Sequence, residues 1–119
     1  MILSESDVRY YLSLAGFKGS DLTTAVRICY CESGFNTDAW NKTSIEDSRG
    51  LMQVNVIAHP EYFNLDLFDP RINTATAYRI FKNEGFNAWK NCKNKLPKII
   101  PDQIILFALM GAIALYYTL

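Results

Sequence analysis

Histidine is almost missing from this sequence: His59 is the only one among 119 residues. No second histidine or cysteine stands at zinc-ligand spacing from it, so neither a metal site nor a cofactor is expected. Excess charge is missing as well, since 12 Lys and Arg face 12 Asp and Glu. No global field draws the chain to nucleic acid, which is excluded as a partner. Cysteine is sparse and odd in number (Cys29, Cys31 and Cys92), which argues against a complete disulfide framework. Cys29 and Cys31 stand two apart on a predicted helix, where side chains face different ways, so they do not bond each other. A bridge from either one to Cys92 stays open, but the plainer expectation is free, buried thiols in a reducing compartment. A basic-then-apolar leader is also lacking: Met1, Ile2 and Leu3 run straight into Ser4, Glu5, Ser6 and Asp7, and no cleaved export signal is expected.

What is present is apolar mass, 50% of the residues, enough for the core of one domain. Its periodicity predicts helices. Ser4 or Ser6 can cap a first helix with Val8, Tyr11, Leu12 and Ala15 on one stripe and Gly16 as its stop. Ser20 caps a second, whose positions Leu22, Ala25, Val26, Cys29 and Tyr30 keep helical spacing up to Gly34. Residues 36–49 are polar and read as a loop or small hairpin, and residues 51–58 read as a short apolar helix stopped by His59-Pro60. Asp69 and Pro70 open a third long helix that ends at Gly85, and Phe86 and Trp89 follow as an aromatic segment.

Glu32 is out of place in this pattern. It falls three residues after Cys29 and seven after Ala25, on the buried face at the helix end. The macrodipole disfavours a negative charge there, and apolar surroundings raise a carboxyl pKa by desolvation. Both effects keep the group protonated near neutral pH, as a general acid requires.

Six pieces then follow in order: Glu32-Ser33-Gly34-Phe35-Asn36, Asp47-Ser48-Arg49-Gly50-Leu51-Met52-Gln53-Val54-Asn55, Ala58-His59-Pro60, Leu67-Phe68-Asp69-Pro70, Asn73, and Ala88-Trp89. Together they resemble the lysozyme-like lytic transglycosylase domains, which include soluble lytic transglycosylases, phage virion relatives and goose-type lysozyme. The resemblance spans residues 20–92. It implies a mainly α, α+β lysozyme-like fold with a small irregular or β lobe at residues 36–50 and a cleft beside it. It implies that Glu32 protonates the glycosidic oxygen between N-acetylmuramic acid and N-acetylglucosamine in peptidoglycan. It places Ser48, Met52, Gln53, Asn55, Asn73 and Tyr78 at substrate-binding positions.

A glycosidase ordinarily needs two carboxylates, whereas a lytic transglycosylase needs one. Asp38, Glu46 and Asp47 are candidates for a second, against a plain reading as solvated loop charges. Goose-type lysozyme carries an Asp where this chain has Asn55, and that departure favours transglycosylase chemistry. Trp40, in the polar loop, is a candidate for stacking on a sugar; Trp89 reads as core and His59 as packing.

The end of the chain is apolar on every face. Residues 104–119, with Ile104 at the start and Leu119 at the end, carry no charge. As a helix they would reach about 24 Å against about 30 Å of bilayer core. Gly111, Ala108, Ala112 and Ala114, with Tyr116 and Tyr117, suit a membrane helix. The expected division is therefore a catalytic domain, residues 1–95, and a transmembrane anchor, residues 96–119. Lys90, Lys93, Lys95 and Lys98 would hold the domain on the cytoplasmic side of the producing cell. These features suggest a membrane-anchored, virion-associated lysin of a bacteriophage, with other virion proteins as partners. The alternative is a virion membrane protein that keeps the fold but only binds glycan.

Overall fold

Ser4 starts the first helix: its hydroxyl accepts the Asp7 N–H at 3.1 Å and caps α1, Glu5–Ala15. In the computed structural model, which describes residues 1–96, α1 turns Val8 and Leu12 inward, as the spacing predicts. α2 is Gly19–Ser33 and buries Ala25, Val26, Ile28 and Cys29. It starts just before Ser20, which lies inside the helix and is not its cap. Gly34 ends it in the left-handed region, φ 60°, returning its N–H to the Tyr30 carbonyl at 2.8 Å. α3 is Pro70–Glu84, capped by the Asp69 carboxylate, which accepts the Arg71 N–H at 2.8 Å. α1 packs against both α2 and α3. Phe17 fills the junction, with the Tyr78 and Phe81 ring centroids each 5.0 Å away.

The lobe between α2 and α3 is an antiparallel sheet in the order β1-β2-β3. Its strands are β1, Trp40–Lys42, β2, Asp47–Arg49, and β3, Val54–Asn55. Asn41 pairs with Ser48, and Ser48 pairs with Asn55. The sheet thus carries the lobe past residue 50 as far as Asn55.

Residues 51–58, expected as a helix, are a turn, strand β3 and a second turn. Leu51, Met52, Val54 and Val56 are all buried, and so short an apolar run suits either element. The backbone decides the matter: Gly50 and Gln53 both take positive φ, 74° and 50°, which no right-handed helix accepts. Beyond α3 a 3-10 turn, Gly85–Trp89, leads into α4, Lys90–Lys95, a helix the periodicity did not announce.

Two further expectations are corrected. The first is the three free thiols. Cys31 and Cys92 form a disulfide, and Cys29 alone is free and buried. The spacing within α2 explains the choice, because Cys29 faces the core while Cys31, two residues on, faces α4. The second is the transmembrane helix, with its single-pass localisation in a virion membrane. Among the described residues no helix is long and apolar enough to cross a membrane. The tract at residues 104–119 lies outside the described residues, so no observed helix supports the anchor.

Candidate active site

Glu32 occupies the last turn of α2, half-buried, at the wall of a cleft of about 530 Å³. Glu46, Ser48, Gln53 and Asn55 line the cleft from the lobe. Asn87, Ala88 and Trp89 line it from the 3-10 turn, and Lys90, Asn91, Cys92 and Lys95 from α4. Burial pushes the Glu32 carboxyl above its ordinary range; the Glu46 carboxylate pushes the same way and Lys95 pulls it back.

The lobe is set by a chain of backbone constraints. A Cβ on Gly50 would run into the Leu67 carbonyl oxygen, and φ 74° is itself a glycine conformation. Asn73, wholly buried, holds the same turn from behind. Its Nδ2 donates to the Arg49 and Leu67 carbonyls, and its Oδ1 accepts the Met52 N–H, all at 2.8 Å. Gln53 Nε2 donates to the Ala39 and Gly50 carbonyls, and its Oε1 accepts from Asn41 Nδ2. Asn55 accepts the Asp47 and Ile57 N–H groups on its Oδ1. Trp89, 4% exposed, donates its indole N–H to the Met52 carbonyl at 2.7 Å and fixes the far wall.

The three candidate second carboxylates separate clearly. Glu46 lines the cleft with Glu32 and accepts the Ser48 hydroxyl at 2.7 Å. Asp47, its neighbour, is buried away from the cleft. Arg49 donates to both its oxygens at 3.0 and 2.9 Å, and Trp40 Nε1 donates to Oδ1 at 2.8 Å. The Arg49 bonds hold the Asp47 carboxyl down at about 2, with Trp40 assisting and burial opposing. Asp38 is exposed and meets the Met1 amino group at 2.6 Å.

Of the residues expected to bind substrate, the structure gathers Ser48, Gln53 and Asn55 around Glu32. It sets the others elsewhere. Met52 and Asn73 are fully buried beneath the turn. Tyr78 packs on Phe17 and lies across Gly16. Trp40 is 54% exposed, edge-on to Phe68 and 5.8 Å from the Arg49 guanidinium, outside the cleft lining. The α4 wall was missed. Its lysines read as a membrane flank, and the one signal that could have found it is Cys92, a bridging partner for Cys31. Among the described residues no group of three or more His, Cys, Asp or Glu side chains is arranged to hold a metal ion.

A helical body, a three-stranded lobe and a cleft between them with a half-buried glutamate at the helix end define a lysozyme-like domain. The comparison with protein families agrees: the model described as lysozyme-like domain matches residues 10–91, and the chain belongs to that family. No curated protein matches it. Membership makes the chain, in general terms, a glycosidase or transglycosylase acting on peptidoglycan.

Proposed function

We propose that the domain is a lytic transglycosylase that cuts peptidoglycan between N-acetylmuramic acid and N-acetylglucosamine, with Glu32 as acid and then base. Glu32 donates its proton to the departing glycosidic oxygen as the bond to the muramyl C1 breaks. The substrate's acetamido group stabilises the cationic centre. The Glu32 carboxylate then takes the proton of the 6-hydroxyl, whose oxygen bonds to C1 and closes an anhydro ring. No second carboxylate is needed. The observation that carries this reading is Glu32 itself: it is half-buried with its carboxyl pushed up, in a cleft where Asn55 cannot serve as a base.

A second reading, hydrolysis, is favoured by one observation, Glu46 in the same cleft. Mass spectrometry of the products from purified peptidoglycan separates the two. Anhydro-muramyl ends are expected; reducing ends would assign hydrolysis. The Glu32→Gln variant is expected to fold and to leave the wall uncut. Cleavage by that variant would place the acid elsewhere, and an inactive wild type would favour the glycan-binding alternative. The role as a bacteriophage lysin rests on the membrane anchor with its lysine flank, three free thiols and the lack of a leader. Among the described residues no helix can cross a membrane, and Cys31 and Cys92 are bonded, so the proposed function is glycan chemistry alone.

A further inference from the structure

Cys31 is the residue before Glu32, and its disulfide partner Cys92 stands at the centre of α4. Both line the cleft, as do Lys90, Asn91 and Lys95 of the same helix. Among the described residues α4 is otherwise held only at its ends, by Trp89 just before it and by Leu96, packed on the core, just after it. It is six residues long, Lys-Asn-Cys-Lys-Asn-Lys, with two asparagines and no side-chain cap. Its only buried residue is Cys92. A second cavity of about 550 Å³ adjoins the first, and Cys31 and Lys95 belong to both linings. Cys92 is 6% exposed, but Cys31 is open to solvent and to a reductant.

We propose that the Cys31–Cys92 disulfide is a positioning cross-link for the active site, which docks the α4 wall beside Glu32 and makes cleavage depend on its oxidation. The proposal rests on the transglycosylase reading of Glu32. A dithiol reductant opens the bridge by exchange: two electrons and two protons pass to the sulfurs of Cys31 and Cys92, and the reductant leaves as its own disulfide. α4 then has no buried side chain tied to α2, and its far end, with Lys95, swings away from Glu32. The domain is latent in a reducing compartment and competent in an oxidising one, where such bridges persist.

The consequence for Glu32 runs through charge and burial together. Among the described residues the charged groups lining the cleft with it are Glu46 from the lobe and Lys90 and Lys95 from α4; the lining residues of the 3-10 turn carry none. Glu32 acts in its protonated form, so activity falls as pH rises through its pKa, and Lys95 draws that pKa down. Releasing α4 withdraws Lys95, which lets that pKa rise, and opens the cleft to water, which lets it fall, so the basic limb of the pH–rate profile moves with the state of the bridge.

The test is peptidoglycan cleavage by the full chain, oxidised, reduced with dithiothreitol and reoxidised, with far-UV circular dichroism on each sample. Reduction is expected to lower kcat/KM by a factor on the order of ten to a hundred. It also displaces the basic limb, leaves the helix signal intact, and is reversed on reoxidation. Cys92→Ser in the full chain is expected to reproduce the reduced state and to ignore dithiothreitol. Equal rates and profiles in both redox states, with Glu32→Gln inactive, would overturn the cross-link's role and leave the function standing. Activity lost only in step with the helix signal would likewise reduce the bridge to a structural one. A fully active Glu32→Gln would overturn both proposals.

Discussion

Glu32 takes its character from burial and from two charges of opposite sign. Burial and Glu46 raise its carboxyl, and Lys95 lowers it. Glu46 is held in place by the Ser48 hydroxyl, so in this fold Ser48 reaches the acid through a neighbour. Glu46→Gln removes a negative charge and lets the Glu32 pKa fall. The basic limb of the pH–rate profile is then expected at lower pH, with the rate at acidic pH nearly unchanged. If Glu46 were instead the base of a hydrolysis, the same variant would lose about 10²–10⁴ in rate at every pH. At this scale the position of Glu32 on the buried face was legible from helical phase, since Ala25 and Cys29 on that face are both fully buried, while its proposed role came from the motif that follows it. The choice between Glu46 and Asp47 was not. They are adjacent in the sequence, and only strand β2, which turns Asp47 onto Arg49 and Trp40, separates their roles.

The elements divide in the same way. α1, α2 and α3 follow their periodicity, and Asp69-Pro70 marks the start of α3 in both sequence and structure. The turn after β2 does not follow from local pattern, because its shape depends on Asn73, which is more than twenty residues away. Asn73 was expected at the sugar, yet it is buried under the turn that carries Gln53. Asn73→Ala leaves the Arg49 and Leu67 carbonyls and the Met52 N–H without partners. A loss of about 3–5 kcal/mol is expected in urea unfolding. Activity should fall with it, because the cleft side of the lobe is built on that turn. A stability change below 1 kcal/mol would show that water replaces the carboxamide without cost.

For the whole molecule, the Asp47–Arg49 pair links the lobe to acid stability. Asp47 titrates at about 2 when folded, against an ordinary 3.8. A lowered folded pKa stabilises the protein above the unfolded pKa, and that contribution is lost as pH falls through the folded one. The gap in urea midpoint between wild type and Asp47→Asn is therefore expected to be full above about pH 5. It should shrink from pH 3.8 downward and be largely closed below about pH 2. A gap that stays constant from pH 5 to pH 2 would place the stabilisation elsewhere.

The sequence by itself determined the three long helices, the family and the place of Glu32 on the buried face at the end of the second. Each is written in local terms: caps, apolar spacing of three and four, and short motifs in a fixed order. Tertiary structure alone decided the sheet, the partner of Glu32 in the cleft and the bridge that ties Cys31 to a residue 61 positions on. Strand pairing, like-charge proximity and disulfide bonding all depend on distances across the fold. A one-dimensional pattern holds the residues for such contacts but not the distances, which is why α4 read as a row of lysines and became one wall of the cleft.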